Sequence, residues 1–250
     1  MATPDDHLLA ADLASRAGEL LVDVRAELGA SGADGTTLKD EGDRRSHEFL
    51  MRLLAEHRPD DAVLSEEGKD DLDRLTAERV WIVDPLDGTR EFGEPPRTDW
   101  AVHVALVEAG APTAGAVALP GLGVTLHSGE PPVVPDAPAG GPRIICSRTR
   151  PGPAAERLAE ALDGELIYMG SAGAKAMAVV RGEADIYAHT GGQYEWDSCA
   201  PVAVAHAAGL SATRLDGSPL SYNNEDSYLP DLLICRPELT DAVLGVLSQA

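Results

Sequence analysis

The chain has 250 residues and a mass of 26.2 kDa, enough for one large domain or two joined halves with a substantial core. Its 20 basic and 42 acidic residues give a formal net charge of −22. This balance argues against binding to polymeric DNA or RNA and to anionic membranes, because those partners require clustered Lys and Arg. A small anionic substrate remains compatible with the charge if a bound cation reverses the local field.

The cysteines and the N-terminus indicate a reducing compartment. Cys146, Cys199 and Cys235 are widely spaced and form no CxxC pair, which predicts reduced, structural thiols. The N-terminal residues lack the basic and apolar regions of a signal peptide, and no apolar run reaches the ~20 residues of a membrane span. We therefore expect a cytoplasmic protein.

The first third of the chain is predicted to be mostly helical. Apolar residues recur every three to four positions over 7–28, which predicts an amphipathic helix. Residues 29–42 are rich in glycine and charge without periodicity, and they predict a loop that is either functional or mobile. A second helix is predicted over 43–57. A short strand, Ala62–Leu64, follows it and leads into Ser65-Glu66-Glu67.

The rest of the chain is predicted to contain strands and then alternating strands and helices. Val80–Val83 reads as a buried strand that ends at Asp84, because Pro85 stops the hydrogen-bond ladder. Residues 129–142, rich in Pro, Gly and Ala, predict a linker. We predict an N-terminal α+β half over 1–141, which binds metal on an antiparallel-leaning sheet, and an α/β half over 142–250, which binds substrate. Further strands are predicted at 100–107, 113–119, 124–126, 143–146, 165–169 and 185–188, and helices at 153–162, 173–181 and 198–208.

Asp84 and Asp87 stand three residues apart across a proline turn, so their carboxylates can converge on one point. Convergent carboxylates repel one another unless a cation lies between them, and an oxygen-only cluster suits Mg²⁺ or Mn²⁺. Gly88 allows a ligand to approach the backbone closely, and free N–H groups at a helix start can hold a phosphate. The alternative is an ordinary type I turn with no ligand.

Two further acidic stretches favour the metal-site interpretation. Glu66 and Glu67 are adjacent on an extended segment and point to opposite sides, so one of them should face the same centre as Asp84. Asp197 comes just before a predicted helix. It either joins these carboxylates or serves only as the N-cap of that helix.

These motifs together resemble the signature of the inositol monophosphatase superfamily. They are Ser-Glu-Glu at 65–67, Asp-Pro-Leu-Asp-Gly-Thr at 84–89 and Trp-Asp at 196–197. The resemblance implies a layered α/β/α/β/α fold and a Mg²⁺-dependent, lithium-sensitive phosphomonoesterase. Gly-Thr-Arg-Glu-Phe at 88–92 is similar to the 3′(2′),5′-bisphosphate nucleotidase branch, as are 147–150 and 170–175. The composition suggests the actinobacterial CysQ group within that branch.

The resemblance also implies a set of metal ligands. Glu66, Asp84 and the Leu86 carbonyl would hold one Mg²⁺, while Asp84, Asp87 and Asp197 would hold a second. Glu67 would act behind these ligands or hold a weak third ion through water. Mn²⁺ is a possible substitute for Mg²⁺, and Li⁺ is an expected inhibitor. The chemistry implied is direct in-line attack on the phosphate by a metal-activated water.

Catalytic and substrate-binding residues follow from the same resemblance. Thr89 and Asp43 would position or deprotonate the water, although Asp43 at a helix start could equally be an N-cap. Arg150, Ser171 and Lys175 would line the pocket for the nucleoside or its second phosphate, although Lys175 could also be a solvated helix lysine. Residues predicted to contact the reacting phosphate, directly or through metal, are Glu66, Leu86, Asp87, Gly88, Thr89 and Asp197.

The predicted reaction is hydrolysis of 3′-phosphoadenosine 5′-phosphate to AMP and phosphate, which clears the by-product of sulfate activation. One rival is a broad phosphatase acting on inositol-1-phosphate or fructose-1,6-bisphosphate. Another is a non-catalytic Mg²⁺- or nucleotide-binding regulator. Residues 189–194 do not match inositol enzymes, in which a carboxylate contacts the sugar ring, and this disfavours the first rival. A homodimer is expected from the resemblance.

Overall fold

Two five-stranded sheets form the frame of the computed structural model, which describes residues 1–248. The first sheet has the order β1-β2-β3-β4-β5, in which β1 is parallel to β2 and the other neighbours are antiparallel. Its strands are β1 (Ala62–Ser65), β2 (Arg79–Asp87), β3 (Ala101–Glu108), β4 (Ala111–Leu119) and β5 (Val124–His127).

The second sheet has the order β7-β6-β8-β10-β9. The strand β6 is parallel to both of its neighbours, whereas β10 is antiparallel to β8 and β9. Its strands are β6 (Arg143–Ser147), β7 (Glu165–Met169), β8 (Ile186–Tyr194), β9 (Ser211–Thr213) and β10 (Tyr228–Cys235).

Helices form three layers around the sheets. α1 (Pro4–Ala30) and α2 (Gly35–His57) cover the outer face of the first sheet, and α4 (Pro153–Ala161) and α7 (Thr240–Leu247) cover the outer face of the second. α5 (Ala172–Val180) and α6 (Glu195–Ala207) pack between the two sheets in a shared apolar core. A single turn, α3 (Thr89–Phe92), follows β2. This α/β/α/β/α arrangement confirms the predicted fold class.

The predicted loop over 29–42 is wrong for its second part, because α2 begins at Gly35. The Asp34 carboxylate caps this helix by accepting a hydrogen bond from the Thr37 N–H at 2.8 Å. Gly42 lies inside the helix, and a Cβ there would come within 2.8 Å of Leu86 and 2.7 Å of Phe92. Glycine at this position serves close packing rather than a turn. Asp43 is therefore inside α2, and the alternative of an N-cap role for it is wrong.

The prediction that Pro85 ends its strand is also wrong. β2 continues to Asp87, with Asp84 opposite His103 and Asp87 opposite Ala101 on β3. The ladder is interrupted between these two pairs, so that Pro85 and Leu86 form a bulge opposite one residue of β3. The proline is tolerated because a bulge needs no ladder N–H at that point. The simple type I turn is replaced by a distortion inside the sheet, which redirects the carboxylates.

Most other predicted elements are present, with shifted ends. β8 runs on to Tyr194, well beyond the predicted end at 188, and α6 begins at Glu195 rather than at 198. The strands β9 and β10 and the helix α7 were not predicted. The three cysteines are free and buried, as expected. Of the helices within 1–248, none combines the length and the apolar character that crossing a bilayer requires.

Candidate active site

Three aspartates from two parts of the chain meet at one point. Asp84 and Asp87 come from the bulge in β2, and Asp197 comes from the first turn of α6. Each offers one carboxylate oxygen that lies within 4.8 Å of those of the other two. Asp84 is 1% exposed and Asp87 is 6% exposed. The structure thus brings together three of the predicted metal ligands.

Asp197 is held by the start of α6, although it is not the N-cap. Tyr194 is the N-cap residue, and Asp197 lies three positions further on, where its carboxylate accepts a hydrogen bond from the Tyr194 N–H at 2.7 Å. An acidic side chain here is favoured by the positive end of the helix dipole. The alternative of an N-cap role is therefore wrong. One oxygen of the Asp197 carboxylate accepts the hydrogen bond from the Tyr194 N–H at the start of α6, and the carboxylate still belongs to the cluster with Asp84 and Asp87.

Asp87 is fixed by the start of α5. Its carboxylate accepts hydrogen bonds from the Ser171 hydroxyl at 2.5 Å, the Ala172 N–H at 3.0 Å and the Gly173 N–H at 2.6 Å. Ser171 is the N-cap of α5, and its hydroxyl also accepts from the Ala174 N–H. The contacts of Ser171 therefore support a role in holding Asp87, beside its position on the wall of the cleft.

His103 is a member of the site that sequence reasoning missed. It is fully buried on β3, with Nδ1 donating to the Trp196 carbonyl at 2.9 Å and Nε2 lying 3.2 Å from the Asp87 carboxylate. Burial alone would lower the pKa of His103, but the charge of Asp87 raises it. The signal available in the sequence was a lone histidine in the apolar run at 100–107.

The pKa values of the acidic groups show how the charge is distributed. Burial would raise the pKa of Asp87, but the contact with His103 holds it below its ordinary value. Burial and the neighbouring Glu66 and Asp87 charges raise the pKa of Asp84 well above its ordinary value. Burial and the Asp87 charge raise the pKa of Asp197 to about 7. The cluster holds more negative charge than its surroundings neutralise.

Glu66, a predicted metal ligand, lies near the three aspartates but is not among the carboxylates whose oxygens lie within 4.8 Å of one another. The residue directly follows β1 and is exposed, and its charge acts on Asp84. Burial of its carboxyl group and the negative charge of Glu67 raise the pKa of Glu66 to about 7. A set of crowded carboxylates with raised pKa values fits a hard divalent cation, whose charge would offset the repulsion. The residues present therefore suit the metal that the sequence predicted.

Thr89 and Asp43 lie beside the cluster. The Thr89 hydroxyl is 3.3 Å from the Asp43 carboxylate and 2.9 Å from the Leu86 carbonyl. Burial and the negative charge of Glu67 raise the pKa of Asp43 to about 7, so its carboxyl can hold or release a proton near neutral pH. Asp43 on α2 is thus joined to Leu86 and Thr89 of the 84–89 motif through one hydroxyl.

A cleft of about 290 Å³ opens over the acidic cluster. Both halves of the chain line it, and Arg150 and Lys175 contribute positive charge. A larger cavity of about 620 Å³ lies between α4 and α7 and contains none of the clustered carboxylates. The predicted cleft residues that line this opening are Asp87, Gly88, Thr89, Arg150, Ser171, Lys175 and Asp197.

Lys175 is buried rather than solvated, so the alternative of an exposed helix lysine is wrong. It is 5% exposed, and its ammonium donates to the Gly170 carbonyl at 3.4 Å and to the Ser171 carbonyl. Burial lowers the pKa of Lys175. Arg150, by contrast, is exposed at the rim of the cleft. One cation therefore lies deep in the site and the other at its mouth.

Gly88 shows why the motif needs glycine at this position. Its φ is +82°, a left-handed conformation that other residues rarely adopt. A Cβ there would also come within 3.0 Å of Ser171 and 3.1 Å of the Asp99 carbonyl. Glycine thus lets the end of β2 lie directly against the start of α5, which brings Asp87 to its partners.

Comparison with known proteins identifies the family. The model of the inositol monophosphatase family matches residues 6–247. The chain belongs to the inositol monophosphatase family. A 3′-phosphoadenosine 5′-phosphate phosphatase of Mycobacterium bovis is 52% identical over 242 residues, covering 94% of this chain and 90% of that protein. The predicted family is confirmed.

Solved structures agree with this assignment. CysQ from Bacteroides thetaiotaomicron, described as a bacterial member of the same family, superposes with a TM-score of 0.78 and 28% identity, covering 93% of this chain and 97% of that one. An inositol monophosphatase from Zymomonas mobilis superposes with a TM-score of 0.79 at 20% identity, covering 99% of both chains. The second likeness concerns the fold alone. Inositol monophosphatase family members are metal-dependent, which agrees with the Asp84, Asp87 and Asp197 cluster.

Proposed function

We propose that this protein is a 3′(2′),5′-bisphosphate nucleotidase that hydrolyses 3′-phosphoadenosine 5′-phosphate to AMP and phosphate. The observation that carries the proposal is the convergence of Asp84, Asp87 and Asp197 beneath a cleft that also holds cationic side chains. The mycobacterial relative at 52% identity, a 3′-phosphoadenosine 5′-phosphate phosphatase by name, supports this substrate. The filled acidic positions disfavour a non-catalytic regulator.

Two Mg²⁺ ions are proposed as cofactors. Glu66, Asp84 and the Leu86 carbonyl would hold one, and Asp84, Asp87 and Asp197 the other, with Glu67 available for a weaker third. When bound, such ions polarise the phosphate and lower the pKa of a nearby water. Mn²⁺ is a proposed substitute and Li⁺ a proposed inhibitor. The crowding of carboxylates whose pKa values are raised supports this ligand set.

Asp43 and Thr89 are proposed to orient the attacking water and take its proton. The 3.3 Å contact between the Thr89 hydroxyl and the Asp43 carboxylate supports this role. A pKa of about 7 lets Asp43 accept a proton at neutral pH without holding it too strongly. In this step the single Thr89 hydrogen is donated to Asp43, so the hydroxyl oxygen accepts from the water, and the Leu86 carbonyl, 2.9 Å from that hydroxyl, is left for its proposed role as a metal ligand.

Lys175 and Arg150 are proposed to bind the anionic substrate at two depths. The buried Lys175 ammonium has only carbonyl oxygens as hydrogen-bond partners among residues 1–248, so its charge is left to act on a phosphate in the cleft. Arg150 at the rim would contact the second phosphate or the nucleoside. A cytoplasmic homodimer is proposed as the working form, from the family resemblance.

Phosphate release with Mg²⁺ tests the function. We would compare 3′-phosphoadenosine 5′-phosphate, inositol-1-phosphate and fructose-1,6-bisphosphate at equal concentration. We expect kcat/KM to favour the nucleotide by about a hundredfold or more, ~2.7 kcal/mol of transition-state binding. Comparable rates on all three substrates would contradict the proposed specificity and leave a general small-molecule phosphatase. Release of phosphate from none of them would contradict the enzyme assignment.

A further inference from the structure

Gln193, in the wall of the cleft, has a buried polar atom without a hydrogen-bond partner among the described residues. It lies near the end of β8, is 3% exposed and forms part of the cleft wall. Its amide nitrogen donates to the Tyr187 hydroxyl at 2.9 Å. Its amide oxygen is fully buried and has no hydrogen-bond partner in the part of the chain that the structure describes. Gln193 belongs to the stretch 189–194 that did not match inositol enzymes.

A buried amide oxygen without a partner is costly, because water is lost and no hydrogen bond replaces it. Such an atom in the wall of a cleft is readily explained by a ligand that supplies the missing donor. Tyr187 is fully buried and bonds to the amide of Gln193, so it holds that amide in place. The pair is therefore preorganised to receive one polar group of a ligand.

The surroundings of this pair indicate which ligand group it meets. The Lys175 ammonium lies 5.4 Å from the centre of the Tyr187 ring. Burial, followed by the charges of Asp87 and Asp197, raises the pKa of Tyr187 well above its ordinary value. Tyr187, which holds the Gln193 amide, is thus close to Lys175, and both residues line the same cleft as Asp87 and Asp197. If Lys175 holds the reacting phosphate as proposed, a group bound at Gln193 is a neighbour of that phosphate.

We propose that Gln193, held by Tyr187, binds the hydroxyl next to the phosphate ester that is cleaved, which is the 2′-hydroxyl of a ribonucleoside 3′-phosphate. This inference rests on the proposed function, because it assumes a nucleotide in the cleft. A hydroxyl both donates and accepts, so it satisfies the amide in either of its two orientations. Gln193 then selects ribonucleotides over 2′-deoxyribonucleotides.

The test pairs a change in the protein with a change in the substrate. We would measure kcat/KM for 3′-phosphoadenosine 5′-phosphate and for its 2′-deoxy analogue on the wild-type protein and on Gln193→Met. The wild type should favour the ribose substrate by about tenfold or more. Gln193→Met, similar in size but without the amide, should lose about tenfold on the ribose substrate and little on the deoxy analogue. The ratio of kcat/KM for the ribose substrate to kcat/KM for the deoxy analogue would then fall toward one.

Two further variants make the result specific. Tyr187→Phe should lower the same ratio by a few-fold, because the Gln193 amide loses its anchor. Thr149→Val is the matched control, since Thr149 lines the same cleft on β6's side and should change both substrates equally. If Gln193→Met does not fold, the ratio in Tyr187→Phe decides the question.

The outcomes separate this inference from the function on which it rests. Equal wild-type efficiency on the ribose and deoxyribose substrates would overturn the hydroxyl contact while leaving the nucleotidase intact. Equal losses on both substrates in Gln193→Met would show that Gln193 only supports the fold. Failure of the wild type to hydrolyse either nucleotide, with activity on another phosphate monoester, would overturn the proposed function instead.

Discussion

Asp185 and Asp84 are both almost fully buried, at 3% and 1% exposure, yet their surroundings are opposite. The Asp185 carboxylate accepts hydrogen bonds from the Arg143 N–H and guanidinium, each at 2.9 Å, and from the Arg236 guanidinium at 2.7 Å. Asp84 instead accepts only a backbone hydrogen bond among the described residues, from the Leu86 N–H at 3.0 Å. It lies beside the Asp87 and Asp197 carboxylates, and the charge of Glu66 acts on it as well. One buried charge is compensated by the protein, and the other is left for a ligand.

The pKa values follow this difference. Burial would raise the pKa of Asp185, but the hydrogen bonds of Arg143 and Arg236 lower it to about 2. The pKa of Asp84 is raised well above its ordinary value by burial and by its acidic neighbours. The first region therefore stabilises the fold by itself, by joining β6 to the ends of β8 and β10. The second costs stability until a cation binds.

The largest effect should come from Asp84→Asn. We expect kcat/KM for phosphate release to fall about a thousandfold or more, because the side chain proposed to bridge both cations loses its charge. The metal-free variant should nevertheless be more stable than the wild type. Its Tm in EDTA at pH 8 should rise by a few degrees, at about 2–4 °C per kcal/mol for a chain of this size.

Two measurements check the Asp84 prediction. Phosphate release gives the activity, and thermal unfolding with Mg²⁺ and with EDTA gives the stability. Mg²⁺ should raise the Tm of the wild type and have little effect on Asp84→Asn. A metal-free variant that is less stable than the wild type would contradict the view that Asp84 is an uncompensated charge.

Asp185→Asn should have a smaller effect, and it should lower folding stability rather than activity. Removal of this carboxylate leaves Arg143 and Arg236 without their partner, which should cost about 3 kcal/mol of folding stability. The Tm should fall by about 6–12 °C. Activity per folded molecule should stay within about twofold, because Asp185 lies outside the cleft. A loss of activity greater than the loss of folded protein would contradict this separation.

The smallest expected effect is a pH dependence of folding stability that differs between the two regions. A carboxyl whose folded pKa is depressed stabilises the protein above its unfolded pKa and loses that contribution as the pH falls. The stability difference between wild type and Asp185→Asn should therefore shrink by about 1–2 kcal/mol as the pH falls from 5 to 2. Urea unfolding at each pH measures the difference.

The cleft carboxyls should respond in the opposite direction. Their folded pKa values are raised, to about 7 for Glu66 and Asp197, so the metal-free protein gains stability as the pH falls through 7 toward 4. The stability gain of Asp84→Asn in EDTA should accordingly be larger at pH 8 than at pH 5. A gain that is constant over this range would show that titration of the cluster does not set it.

Local sequence signals correctly predicted the strand that leads into the site and the first helix. The apolar run before Asp84 predicted a buried strand, and the helix at 7–28 followed from its period. The glycines at 29–42 misled the same reasoning, because Gly42 serves contact with Leu86 and Phe92 across the tertiary structure. Glycine has the same local signature in a turn and at a close helix contact, and only the neighbouring element distinguishes them.

The sequence by itself determined the identity of the acidic residues and the positions of many helices and strands, because motifs and periodicity are local properties of the chain, and the resemblance of those motifs to a known family implied the family and its layered fold. Only the tertiary structure decided the distances and the environments. It joined Asp43 to Thr89, seated Asp87 on the start of α5 and buried Lys175. It also placed His103 and Gln193 in the site, which no motif had marked. Burial and neighbouring charge are set by residues far apart in the chain, so the pKa values and the unsatisfied amide emerge only when both sheets are in place.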